Sequence, residues 1–80
     1  LIEKEELAEY EELIRRLYEA ISSLPPMQAR RVHARYILDM KVKDIAAMEG
    51  ITPSQAGKSI HAALRRLRRY FARQKWTVNL

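Results

Sequence analysis

Cysteine is absent from the 80 residues. That excludes a disulfide scaffold, a cysteine nucleophile and any thiolate zinc site. Glycine occurs only twice, at Gly50 and Gly57, so no glycine-rich phosphate loop can be built. Apolar runs stop at three or four residues, far short of the roughly 20 needed to span a bilayer, and no signal peptide is visible. A cytoplasmic location is the expectation. The first residue is Leu1 rather than Met, which leaves room for sequence before it. What the chain does have is apolar content, 48%, enough for a real core in one domain. A domain of this size buries roughly 60–65% of its unfolded surface, so its stability should be modest.

Charge is unevenly placed. Residues 1–20 hold seven acids and three bases, a net charge of −4, whereas residues 21–80 hold twelve bases and three acids, a net charge of +9. From Lys58 to Lys75 there are seven bases and no acid. A surface that only confers solubility usually mixes signs, and a one-signed stripe on a helix suits a polyanion.

Periodicity predicts four helices and no strand. The first covers residues 3–22, with Leu7, Tyr10, Leu13 or Ile14, Leu17, Ile21 and Leu24 at three- and four-residue spacing. Its early glutamates suit the helix dipole, and Glu11 with Arg15 and Glu12 with Arg16 form favourable pairs one turn apart. Pro25 stops it, and Pro26 opens the second helix, where a missing amide costs little. That helix is expected over 26–39, with Ala29, Val32, His33, Tyr36, Ile37 and Met40 as its apolar set. Asp39-Met40-Lys41 then turns into a short third helix over 43–49, flanked by Val42, with Ile45, Ala46 and Met48 apolar. Gly50 ends it at the position where a left-handed backbone is commonest, and Ile51 fills the angle between two helices. Thr52, Pro53 and Gln55 form a capping box around a proline at the first helical position. The fourth helix therefore runs over 53–73, with Ala56, Ile60, Ala63 or Leu64, Leu67 and Phe71 buried. Gly57 inside it costs about 1 kcal/mol against alanine, so a close approach to the third helix or to a DNA backbone is expected there. The segment Trp76 to Leu80 has three uses open to it: packing on the core, touching a partner, or fraying.

Catalytic chemistry finds little support. His33 and His61 are 28 residues apart, with no second ligand at metal spacing, and His33 reads as a packed residue. Asp39, Asp44 and Glu49 lack a cleft, and Ser22, Ser23, Ser54 and Ser59 lack a partner that would activate them. No enzyme activity, cofactor or metal is expected.

A short helix, a tight turn and a basic helix form the arrangement that enters a DNA major groove. Ser54, Gln55 and Lys58 lie in the first two turns of the fourth helix, the part that meets base edges, and His61 follows one turn later. Gln suits adenine and Lys suits guanine O6 or N7. Thr52 is placed for a phosphate at the helix N-terminus. Arg65, Arg66 and Arg69, with Arg30, Arg31 and Lys43 near the starts of the second and third helices, are expected at phosphates. Ser59 lies toward the side of the helix, nearer backbone or its own helix.

Several linked motifs carry a resemblance. Leu17 to Pro25 ends in a leucine-proline step. Arg30 to Tyr36 is an arginine-rich helix closing on an aromatic. Asp44-Ile45-Ala46 is an acidic-Ile-Ala signature, Gly50-Ile51-Thr52 a Gly-Val-Ser/Thr-like turn, and Ala63 to Arg68 an AL-K-LR-like close. Over about residues 10–70 the chain resembles region 4 of sigma-70 family sigma factors. The resemblance implies an all-α, four-helix domain containing a helix-turn-helix, recognition of the promoter −35 element on double-stranded DNA, and docking on the β-subunit flap of RNA polymerase. Base reading would then fall to Pro53, Ser54, Gln55, Gly57 and Lys58. The chain departs from major sigma factors at Pro53 and Gly57, where those often carry charged or long polar residues, and at Ala56. It also lacks a region 2, so it is either a fragment or a stand-alone region-4-like protein. Two other readings stand beside this one: a phage or mobile-element regulator with the same fold, and an oligomerisation module pairing the acidic first helix with the basic last one. Oligomeric state is open.

Overall fold

A computed structural model describes residues 3–74, and these are helical throughout apart from short connections. The helices are α1 (Lys4–Ser22), α2 (Pro26–Val32), α3 (Val42–Glu49) and α4 (Pro53–Arg73). The all-α architecture matches the expectation, and α4 begins at Pro53, where its capping box predicts. The tail from Trp76 to Leu80 lies outside the described residues.

Local chemistry sets each boundary. At the end of α1 the hydroxyls of Ser22 and Ser23 donate to the carbonyls of Glu19 and Ala20, drawing the last turn closed. Pro26 then occupies the first turn of α2. The third helix ends in a Schellman motif: the Ile51 N–H donates to the Ala46 carbonyl at 3.0 Å and the Gly50 N–H to Ala47. Gly50 has φ 68°, which costs a glycine nothing and any other residue strain. Thr52 and Gln55 complete the capping box of α4 in both directions, at 3.1 and 2.9 Å.

The second helix departs from the expected span over 26–39. It is α-helical only to Val32 and continues as a π-helical turn over His33–Ile37, where Leu38 N–H reaches back to the His33 carbonyl. Such a turn widens the helix by one residue, and the chain leaves it through Asp39 at φ 57°. Aspartate tolerates this left-handed conformation better than most residues.

The last helix is the axis of the fold, with α2 and α3 both packed on it. Ala20, Ile21, Leu24, Val32, Ala63, Leu67 and Phe71 form one buried cluster, with Leu17, Ala29, Leu64 and Tyr70 around it. Ile45 and Ala46 of α3 and Ala56 and Ile60 of α4 are also buried. Small side chains, Ala46 and Ala56, allow the two helices of the helix-turn-helix to lie close. Some apolar positions fall outside the core against expectation. Leu7 and Tyr10 continue the core-facing stripe of α1 but are 44% and 57% exposed, because no helix lies opposite the first turns. Met48 is 77% exposed, at the rim of a groove it shares with Arg30, Ala34 and Ile45. His33 is half-buried and stacks at a tilt against Tyr18, with ring centres 6.4 Å apart. It is a packed residue, as its setting on an apolar face predicts.

Gly57 does not serve a close approach to α3, since a Cβ added there would meet nothing within 4 Å. Gly57→Ala should therefore stabilise the domain by up to about 1 kcal/mol, read by urea denaturation. If DNA affinity falls in that same variant, the open space belongs to DNA. A stabilised variant with unchanged affinity leaves the glycine with no role in either contact.

Candidate nucleic-acid interface

Helical geometry places the basic residues of α4. At about 100° per residue, Ser54, Lys58, His61, Arg65 and Arg69 fall within a band roughly 80° wide. That band lies opposite Ala56, Ile60, Ala63, Leu67 and Phe71, the residues α4 buries. All five of the outward residues are exposed. Gln55 and Arg66 are also exposed and lie together on one flank of the band. Among the described residues Lys58, Arg65, Arg66 and Arg69 form no ion pair, so their charge is available to a ligand. The acidic counterpart is spent elsewhere. On α1, Glu12 pairs with Arg15 and Arg16, and Arg15 also holds Glu19. Hydrogen bonds from Arg15 and Arg16 lower the Glu12 pKa to about 2. The expected pairing of Glu11 with Arg15 is replaced by these contacts.

Length divides the band. At 1.5 Å per residue, the stretch from Pro53 to His61 rises about 12 Å, and Arg69 stands about 24 Å from the helix start. A major groove about 12 Å wide and 8.5 Å deep admits the first turns only. Ser54, Lys58 and His61 therefore lie on roughly the first 12 Å of the helix, and Arg65 and Arg69 lie further along it.

Two site residues are more constrained than their types suggest. The Gln55 side-chain oxygen accepts the Thr52 N–H at 2.9 Å. Bidentate recognition of adenine needs that oxygen and the amide nitrogen together. While the cap is closed, one lone pair of that oxygen is taken and the side-chain amide is held in one orientation. Thr52 accepts the Gln55 N–H, and its hydroxyl proton remains free for a phosphate. Arg30 and Lys43 are exposed near the helix-turn-helix.

Arg31 is placed differently from the phosphate contact expected of it. Its Nε and Nη2 hold the Glu49 carboxylate, with distances of 2.9–3.2 Å, and its Nη1 donates to the Ser59 hydroxyl at 2.8 Å. The side chain is only 11% exposed. Ser59 thus bonds to α2 rather than to its own helix. Hydrogen bonds from Arg31 hold the Glu49 carboxyl below its usual range, against an opposing cost of burial, and the charges of Arg31 and Arg30 add to the effect. Because the folded state depresses this pKa, the pair stabilises at neutral pH and is lost as acid protonates Glu49. Nothing local predicts a bond between residues 31 and 49.

Among the described residues, no three or more His, Cys, Asp or Glu gather where they could hold a metal ion, and no helix is long and apolar enough to cross a membrane.

The family model for sigma-70, region 4, matches residues 14–67. The chain belongs to the sigma-70 region 4 family. The match covers more than half of the sequence, and no curated protein or solved structure gave a match. Domains of this family are DNA-binding modules of transcription initiation and not enzymes. They generally bind DNA and the RNA polymerase core. The sigma region-4 match begins at Ile14, close to where α1 first meets the core, and ends at Leu67, so Arg68, Arg69 and Arg73 lie beyond it.

Proposed function

We propose that this domain reads a promoter −35 element by laying the first turns of α4 in the major groove. The observation that carries the reading is the single outward band of α4, in which Ser54, Lys58 and His61 precede Arg65 and Arg69 with no acid between them. Lys58 is the principal base reader, with Ser54 and His61 beside it and the Gln55 amide group as a donor. Thr52, Arg30, Lys43, Arg65, Arg66 and Arg69 hold phosphates, which position the helix without specifying sequence.

The polymerase contact falls on a different face in this reading. A shallow apolar groove of about 160 Å³ runs between Leu17, Ile21, Val32, Tyr36, Ile37, Leu64 and Leu67. Leu64 and Leu67 point well away from the outward band of α4, so DNA and a β-subunit flap can be held together. So few base readers imply modest specificity for the isolated domain, with polymerase or a second DNA-binding domain supplying the rest.

The test is binding to duplex DNA across salt concentrations, after selecting preferred sites from a random pool. With up to about five charged phosphate contacts, affinity should fall by as much as roughly 500-fold between 50 and 200 mM salt. Affinity indifferent to salt overturns the reading, because phosphate contacts must release counterions.

A further inference from the structure

Arg31 ties three helices together through one guanidinium. It projects from α2, grips the carboxylate of Glu49, the last residue of α3, and donates to Ser59 in the second turn of α4. Ser59 is the immediate neighbour of Lys58. The planar fork suits such a junction, because two nitrogens face a carboxylate side-on while the third reaches a hydroxyl at a fixed angle. A lysine ammonium has no such fork. The Arg31 side chain is 11% exposed and the Glu49 side chain 25%, so water screens the pair only in part.

A phosphate role fits this geometry poorly. Drawing the guanidinium to DNA would strip Glu49 of its counter-charge and leave a carboxylate near the polyanion. The Gly50 turn already sets the direction of the chain, but a turn is only one point of support. Arg31 adds a second, joining the end of α3 to the second turn of α4 from α2, and so fixes the angle at which Ser54 and Lys58 are presented.

We propose that Arg31 is a positioning residue for sequence reading: without touching DNA, it clamps α3 and the second turn of α4 so that Lys58 meets a base edge in one register. The inference rests on the DNA-reading function proposed above.

The experiment compares affinities for the selected site and for random duplex, across salt, in the intact chain and in Arg31→Lys, Arg31→Met and Glu49→Gln. Thermal melts confirm that each variant is folded at the working temperature. Arg31→Lys keeps the charge and loses the fork. It should lower affinity for the selected site by roughly tenfold while changing random-duplex affinity by less than about twofold. Glu49→Gln should lower the same ratio, and Arg31→Lys combined with Glu49→Gln should lower it little further, since both break one contact. Arg31→Met should leave the salt slope unchanged. A slope shallower by about 0.9, with equal losses on both DNAs, makes Arg31 a phosphate contact and overturns the proposal. Variants that melt earlier but keep the ratio make the clamp merely structural and overturn it as well. An unsubstituted domain that prefers no sequence removes the DNA-reading function first, and the role of Arg31 falls with it.

Discussion

Phe71→Ala should leave the domain only marginally stable at room temperature. Phe71 is 2% exposed and is among the largest fully buried side chains. It stands in the last turns of α4, where that helix meets α1 along a seam lined by Arg15, Arg16, Glu19, Tyr70 and Gln74. Truncating a buried phenylalanine costs about 3–5 kcal/mol. A chain of this length has roughly 4–12 kcal/mol in total, and small domains sit toward the low end. The loss therefore consumes most of the stability available. Phe71→Leu, which keeps much of the volume, should cost about 1.5 kcal/mol or less. Tyr10→Ala, on the exposed continuation of the same apolar stripe, should change stability by no more than about 0.5 kcal/mol. Urea denaturation followed by circular dichroism reads all three. A Phe71→Ala protein that keeps its native midpoint would mean that α1 does not depend on the end of α4.

The contrast between Phe71 and Tyr10 shows what the sequence makes legible. Periodicity tells which face of a helix is apolar, and it identified the core-facing side of α1 along its whole length. It does not tell whether another helix lies opposite, so Leu7 and Tyr10 read as core and are half-exposed or nearly so. Boundaries set by neighbouring residues were readable for the opposite reason. Thr52, Pro53 and Gln55 are close in sequence, and the cap they form needs no distant partner. The Gly50 turn is equally local. The π-helical turn at His33–Ile37 was not readable, because the residues of this segment are ordinary helix formers and the widened turn leaves no local signature.

The binding surface divides in the same way. Exposure of Ser54, Lys58 and His61 follows from helical spacing once the buried stripe is known. The engagement of Arg31 with Glu49 and Ser59 joins residues 18 and 28 apart and depends on how three helices cross. Charge counted along the chain places Arg31 among the phosphate contacts. The packed structure shows it already paired with Glu49.

Lys58→Ala and Arg66→Ala should separate base reading from backbone holding. Both residues are exposed cations on α4, about two turns apart and roughly 80° apart around the helix. Lys58 lies in the second turn within the outward band, where a groove-bound helix meets base edges. Its removal should cost the preferred site about 1–3 kcal/mol and change which sequences a random pool yields. Arg66 lies on the flank, beyond the reach of the bases. Its removal should weaken all sequences by a similar factor and make the salt slope shallower by about 0.9, the signature of one lost phosphate contact. Sequence selection followed by salt titration on the chosen site and on a scrambled one distinguishes the two. The larger effect is expected at Lys58 because the Gln55 carbonyl accepts the Thr52 N–H in the helix cap. If the variants lose the same factor on every sequence, both side chains are phosphate contacts, and the domain takes its specificity from a partner alone.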